Sequence, residues 1–599
     1  MKTLKYLFIS ALICFSGQSC KEYLEKAPLD IISDVAVWND KALTNAYVAN
    51  LYGQMKLPST FQPALFPPGI SWLFLELTAG ESVISDEATT PHTWNPEISQ
   101  NFIFGNLTNS TAGGFKEYWP YELIRACNVF IENMATSTLS ESIKKTLSAE
   151  VRVIRAYTYF EMAKRYGGVP LITKAQSIND PESELFAKRN KEAEIYDFIG
   201  LEIDAVLNDL PEDDIRSFTK YGALALKSRA MLYAGSIAKY GTVQLDGVVG
   251  IPSSRANSYF QASYDASKLI DGSGVFSLYK ADIKAGDLKS YADNFYKLFM
   301  TEKSPETIFE VAFIPGIRSH TGASFVPTGG GNMVDPSLNL ANAFEMVDGS
   351  SGVIDYANIA TANVPDLHKN KDPRFNASIL SEGDIFHGVV AHTNWWIIKE
   401  NGDRNQEPGV FYTGQNGVTM PGQGSAYTWS GFCSKKMVKD HINEPTSGID
   451  GLCDMPCLLF RLGEIYLNLA EAAQELGKSA EALKYTNLIR SRAGISQLIS
   501  ISMKQIKQER RVELAMGEGH RYWDLRRWRD AAKSPAEGGL NGLRITKAQP
   551  YYDYRDSKFH FDVGNAEANP RVFKEANYYL PITVRRLSNN KNLVENPGY

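Results

Sequence analysis

The chain has 599 residues and a net charge of −6, with 62 Lys and Arg against 68 Asp and Glu. That length supports a large core or several domains, and the lack of a basic block argues against nucleic acid as a partner. Aromatic residues reach 11%, including 30 Tyr and 9 Trp, a richness that fits a carbohydrate binder although a large core would also absorb it.

Met1 to Ser19 has the layout of a secretory signal. Lys2 and Lys5 precede an apolar stretch from Tyr6 to Phe15, broken by Ser10, and then Ser16, Gly17, Gln18 and Ser19. The stretch is shorter than the ~20 residues of a membrane-spanning helix. Cys20 stands where cleavage is expected, with small Ser19 before it, whereas bulky Ile13 precedes Cys14. We expect a lipoprotein signal of residues 1–19, cut before Cys20, whose thiol takes a diacylglyceride; a plain signal peptide is the alternative. Two or more acyl chains hold a protein stably on a membrane. No later run of about 18 apolar residues offers a span, so the mature chain is expected as a soluble body on a lipid tether.

Helices are expected around Asp40 to Leu57 and Phe115 to Met134. From Ile143 to Tyr166 the pattern puts Leu147, Val151, Ile154 and Tyr157 on one face, closed by Gly167, Gly168 and Pro170. Ile195, Ile199, Ile203, Val206 and Leu210 mark the next stripe, and Ala223 to Tyr240 is rich in small residues that suit close helix packing. From Asp271 to Gly451 the chain is rich in Gly, Asn, Ser and Asp, with short strands expected at Thr307 to Phe313 and Trp395 to Lys399; long loops on a rigid scaffold often carry function. Helical periodicity returns from Cys457 to Leu476, ended by Gly477, then from Ala480 to Arg492, stopped by Gly494, and from Met503 to Met516. Gly538 to Tyr599 reads as a loop-rich tail. Helix pairs with small residues at their contacts look like tetratricopeptide units without the strict 34-residue period; an irregular helical domain is the alternative.

Beyond Cys14 and Cys20 there are Cys127, Cys433, Cys453 and Cys457, which allow three complete disulfide pairings. Cys453-x3-Cys457 has no second cysteine pair or His cluster beside it, which disfavours zinc. A structural calcium among the Asp-rich loops stays open, though no EF-hand spacing appears; no other cofactor is expected.

Several stretches, in order from end to end, resemble the SusD/RagB family of starch-utilisation-type nutrient-binding lipoproteins. They are Cys20-Lys21-Glu22-Tyr23-Leu24-Glu25; Arg152-x2-Arg155-Ala156-Tyr157-x-Tyr159-Phe160 running on to Tyr166-Gly167-Gly168-Val169-Pro170; Glu464-Ile465-Tyr466-Leu467-x2-Ala470-Glu471-Ala472; Glu509-Arg510-x2-Glu513-Leu514 with Gly519-His520-Arg521-x2-Asp524-Leu525-x-Arg527-Trp528; and Tyr579-Leu580-Pro581-Ile582 with the Asn596-Pro597-Gly598-Tyr599 ending. The charged start after Cys20 also resembles surface-export signals of Bacteroidetes lipoproteins. The resemblance implies a mainly α SusD-like fold: tetratricopeptide-like helix pairs supporting a loop-rich half with a few short strands. It implies one unit over residues 20–599, with a helical part to about 240, a variable part to about 450, and a C-terminal helical part and tail. It further implies an outer-membrane lipoprotein that lies over a SusC-like TonB-dependent β-barrel transporter, captures a glycan and delivers it unaltered.

The motif charges Arg510, Glu513, Arg521, Asp524, Arg526 and Arg527 are expected to form inter-helix ion pairs, in preference to acid/base roles for Glu509, Glu513 or Asp524. Trp523 and Trp528 are expected to pack. Glycan binding needs other chemistry: a flat, partly exposed aromatic ring for the C–H face of a pyranose and amide, carboxylate or guanidinium groups for its hydroxyls. Three stretches offer it. The first, Asp86 to Asn106, holds Trp94, Asn95 and Asn101; the resemblance makes Trp94 the leading choice, because in relatives the loop after the early Glu-Leu stretch (here Glu76-Leu77) often contributes to the ligand site. The others are Asn394-Trp395-Trp396 and Tyr427-Thr428-Trp429. The competing reading buries these rings between loops and helices; Trp72, in an apolar run, is expected in the core. A glycoside hydrolase would need two carboxylates about 5–9.5 Å apart, and no motif supplies them, so no catalytic residue is assigned. A protein-interaction scaffold is the second rival.

Overall fold

The computed structural model describes residues 34–55, 80–90, 98–112, 116–314, 334–386, 388–408, 410–424, 428–436, 438 and 455–599. The expectations for the signal segment, Cys20, Trp72, Trp94, Asn95, Tyr427 and Cys453 lie outside those residues.

Helices start where a side-chain oxygen accepts a free N–H of the first turn. Asp40 accepts from Leu43 at 3.0 Å and opens the Lys41–Gln54 helix. Thr219 accepts from Gly222 at 3.1 Å and opens Lys220–Tyr240. The Glu141–Tyr166 helix starts at a Ser140 cap and stops at Gly167, whose φ of +78° suits glycine. The helix expected from Phe115 is Tyr121–Thr136 instead. Pro120 is the reason: it disfavours helical backbone at Trp119 before it.

Successive helices pack side by side: Tyr121–Thr136 on Glu141–Tyr166, then Glu192–Val206, Lys220–Tyr240 and Ala256–Gly272. The Leu462–Glu475 helix packs on Ala256–Gly272 and is followed by Ser479–Ala493, so the two helical blocks of the chain share one stack and one core running from Trp38 to Leu593. Small residues set the closest approach. Ser228 and Ser267 hydroxyls meet at 2.8 Å, Ser263 donates to the Ser228 carbonyl at 2.7 Å, and a Cβ on Gly235 would fall 2.7 Å from the Phe260 ring.

Four expectations are corrected. The apolar run Cys457–Arg461 is a fully buried strand, paired antiparallel with Thr307–Val311, and helix begins only at Leu462; a short apolar run does not declare its period. The third C-terminal helix is Met503–Glu513, three residues shorter than expected. The variable part contains a helix, Leu288–Met300, capped by Asp287. The tail contains a hairpin, Thr546–Asp553 with Lys558–Asn565, eight residues paired on each side. Pro550 hides that strand from a pattern reading. The hairpin continues into a four-stranded sheet through Trp396–Ile398, parallel to Thr546–Asp553, and then Arg404–Asn405.

Candidate functional site

The motif charges sit inside the molecule. Glu513 is fully buried and receives Arg461 at 2.6 Å, Arg374 at 2.9 Å and Arg492. Burial pushes its carboxyl up, but the three guanidinium groups overcome that and hold it well below the usual carboxylate range. Asp524 faces Arg510 at 3.1 Å and Arg527 at 2.8 Å and is lowered for the same reasons. Glu509 bridges Arg374 and Arg490 at 2.6 and 3.0 Å, and Arg521 forks onto Asp86 at 2.8 and 2.9 Å. Glu513 and Asp524, held ionised far below neutral pH, are not poised to pass a proton. Trp523 and Trp528 are buried, and each ring N–H donates to a glutamate. Arg526 departs from expectation: it forms no ion pair among the described residues, and only its Nη2 is used, on the Tyr578 carbonyl at 2.5 Å.

The three aromatic stretches converge. Trp395 is partly exposed and Trp429 is 43% exposed; their ring centres lie 5.7 Å apart at 55°. Three consecutive residues of one strand position both. The Trp395 N–H donates to the Pro550 carbonyl at 3.2 Å, the Gln549 amide donates to the Thr428 carbonyl, and the Ala548 N–H donates to the Ser430 carbonyl at 2.9 Å. Gly431, at φ +92°, allows that close approach, since a Cβ there would fall 2.0 Å from the Ala548 carbonyl oxygen. The first stretch joins through Ala88–Thr89, which pairs with Asp335–Pro336; Asp335 Oδ2 accepts the Trp429 N–H at 2.8 Å.

Asp335 and Glu382 are the positioning residues a sequence reading misses, because nothing in their local pattern marks them. Asp335 is fully buried, and burial pushes its carboxyl well up. Glu382 accepts the Thr393 and Asn394 N–H groups at 2.6 and 2.8 Å and His392 Nδ1 at 2.8 Å, fixing the entry to Trp395.

Two candidates are corrected. Trp396 is only 9% exposed: Tyr551 of one neighbouring strand stacks on it at 5.3 Å and 16°, and Arg404 of the other lies 3.9 Å from its ring centre. Successive strand residues face opposite sides of a sheet, so only one of the two adjacent tryptophans joins the open pair. Asn101 is 8% exposed and its amide donates to the Thr111 carbonyl at 3.2 Å, within a π-helix over Ile98–Ile103. Among the described residues one group, Asp553, Asp556 and His560, brings ligand atoms within 4.8 Å. Asp553 is already forked by Arg555, and Asp556 accepts from His560 at 2.9 Å.

A stack of helix pairs that holds a tryptophan pair on a loop-rich half defines a binding protein built on a tetratricopeptide-like scaffold. Two successive family models match: one described as "Starch-binding associating with outer membrane" over residues 76–232, and one described as the SusD family over residues 305–599. The chain belongs to the SusD family. It is 24% identical over 568 residues to a SusD-like protein of Formosa agariphila, covering 91% of this chain and 95% of that one. It is 24% identical over 502 residues to the starch-binding protein SusD of Bacteroides thetaiotaomicron, covering 79% and 76%. A solved SusD-like protein of Bacteroides fragilis shares the fold with a TM-score of 0.70 at 23% identity, covering 96% of this chain and all of that one.

Proposed function

We propose that this chain is a cell-surface lipoprotein, anchored to the outer membrane through Cys20, that captures a glycan on the Trp395–Trp429 pair. It performs no chemistry on the ligand and passes it to a SusC-like TonB-dependent transporter. The observation that carries the capture step is the pair itself: two indole rings set 5.7 Å apart by hydrogen bonds to one strand and to the buried carboxyl groups of Asp335 and Glu382. Rigid rings contribute apolar contact to a sugar at little entropic loss. A relative described as starch-binding and a family model described as associating with the outer membrane support the reading. Trp94, Asn95 and Tyr427, outside the described residues, stay in the proposal as candidates from the sequence alone, as does a structural calcium ion.

Trp395→Ala and Trp429→Ala are each expected to weaken glycan binding about tenfold or more, equivalent to ~1.4 kcal/mol, measured by glycan array and calorimetry. Co-purification with the transporter should be unchanged. Glycan affinity that survives both substitutions would overturn the assignment. Turnover of glycan by the pure protein would favour a hydrolase instead.

A further inference from the structure

A second chamber, sharing no lining residue with the tryptophan pair, lies where the chain leaving the Lys220–Tyr240 helix meets the C-terminal residues. It encloses about 430 Å³, and its lining includes Tyr240, Gln244, Arg529, Tyr578, Tyr579 and Asn596. That volume falls in the range of small-ligand sites.

Arg529 is the basic residue of its lining. Arg529 forms no ion pair among the described residues. Its guanidinium lies 4.4 and 4.9 Å from the Tyr578 and Tyr579 ring centres, donates to the Tyr579 hydroxyl at 2.7 Å and reaches the Arg526 carbonyl at 3.4 Å. A guanidinium has five N–H donors, so three remain. Neighbouring Arg526, buried, also lacks a carboxylate among the described residues, where its Nε and Nη1 find no hydrogen-bond partner. The nearby motif arginines Arg510, Arg521 and Arg527 all face carboxylates.

The backbone points the same way. Arg529 follows the His520–Arg527 helix at φ +57°, a left-handed conformation that glycine adopts without strain. Strain of this kind collects at ligand sites. The Tyr579 hydroxyl donates onward to Glu192 Oε2 at 2.8 Å, and Glu192 Oε1 has no partner. Burial pushes the Glu192 carboxyl up to about 7, against lowering by the Tyr579 bond and Arg529. Near neutral pH it therefore cancels only part of the arginine charge. Glu575, the carboxylate among the described lining residues, is exposed.

We infer that this chamber is a second ligand site that takes an acidic sugar, its carboxylate on Arg529 and its ring against Tyr240, which is partly exposed while Tyr578 and Tyr579 are buried under the guanidinium. A planar guanidinium matches a carboxylate in two parallel bonds, the Tyr240 ring offers a face to the C–H groups, and Gln244, exposed in the lining, offers an amide to the hydroxyls. The alternative is a purely structural role, in which Arg529 does no more than bond a terminal carbonyl of its helix.

The test compares D-glucuronate with D-glucose, which differ at C6 alone, by calorimetry on the full protein. Wild type should prefer glucuronate at least tenfold. Arg529→Gly should keep or raise Tm, because the strain is relieved, and should lose that preference; Arg529→Asn, which also tolerates this backbone, is the second variant under the same criterion. Trp429→Ala should retain the preference. No preference in wild type, glucuronate binding that persists in the folded Arg529 variants, or its loss in Trp429→Ala would each overturn the inference.

Discussion

Glu150 illustrates how burial turns one carboxyl into a pH-dependent element of stability. Its Oε1 accepts from the Tyr52 hydroxyl at 2.7 Å. Burial pushes its carboxyl up to about 7, with Asp214 adding repulsion and the Tyr52 bond acting against both. Between about pH 4.5 and 7 the folded state therefore holds more protons here than the unfolded one, so stability falls as pH rises through that window. Glu150→Gln cannot ionise and keeps an acceptor for Tyr52. Its Tm relative to wild type should be higher by about 2 °C at pH 8 than at pH 5, read by thermal melts at both values; an equal difference at both would refute the account. The arginine-ringed carboxylates behave oppositely. Glu518 is lowered to about 2, where burial is outweighed by Arg461 and Lys436, so its contribution is present above about pH 4.5 and is lost as pH falls toward 2.

At the scale of elements, the strand Thr546–Asp553 does most to build the site. It pairs with its hairpin partner on one side and with Trp396–Ile398 on the other, while its residues 548–550 hold both tryptophans of the open pair. Gly431 is the tightest point in that contact. Gly431→Ala must displace the loop carrying Trp429, because the new methyl would meet a backbone carbonyl and the φ of +92° is strained for alanine. We expect glycan affinity to fall at least fivefold while the helical content seen by far-ultraviolet circular dichroism stays unchanged; affinity equal to wild type would mean the loop does not position the ring. This strand is also what a pattern reading overlooks. Its sequence carries no alternation and contains a proline, and the two partners that make it a sheet lie far apart in the chain. The Cys457–Arg461 strand is misread for a related reason: next to a strong helical stripe, its apolar residues extend the stripe on paper, and only pairing with Thr307–Val311 separates the two.

For the molecule as a whole, the proposed placement depends on an anchor at one end and a ligand site on the body. No helix among the described residues is long and apolar enough to cross a membrane. Under the proposed anchor, Cys20→Ser should abolish palmitate labelling while the purified protein still binds glycan; labelling that persists in the variant would refute the anchor. The sequence by itself determined the helical scaffold, its glycine stops, the family motifs and the pairing of most of their charges, because these depend on local periodicity and on residues that recur in order. It also named Trp395 and Trp429 among its candidates. Only the tertiary structure decided that these two meet, that Trp396 beside them is stacked away between Tyr551 and Arg404, that Asn101 is buried, and that Arg526 and Arg529 lack, among the described residues, the carboxylates their neighbours have. The physical reason is that exposure and pairing depend on which distant segments a side chain meets, and strand register, which sends adjacent residues to opposite faces, is set by those segments.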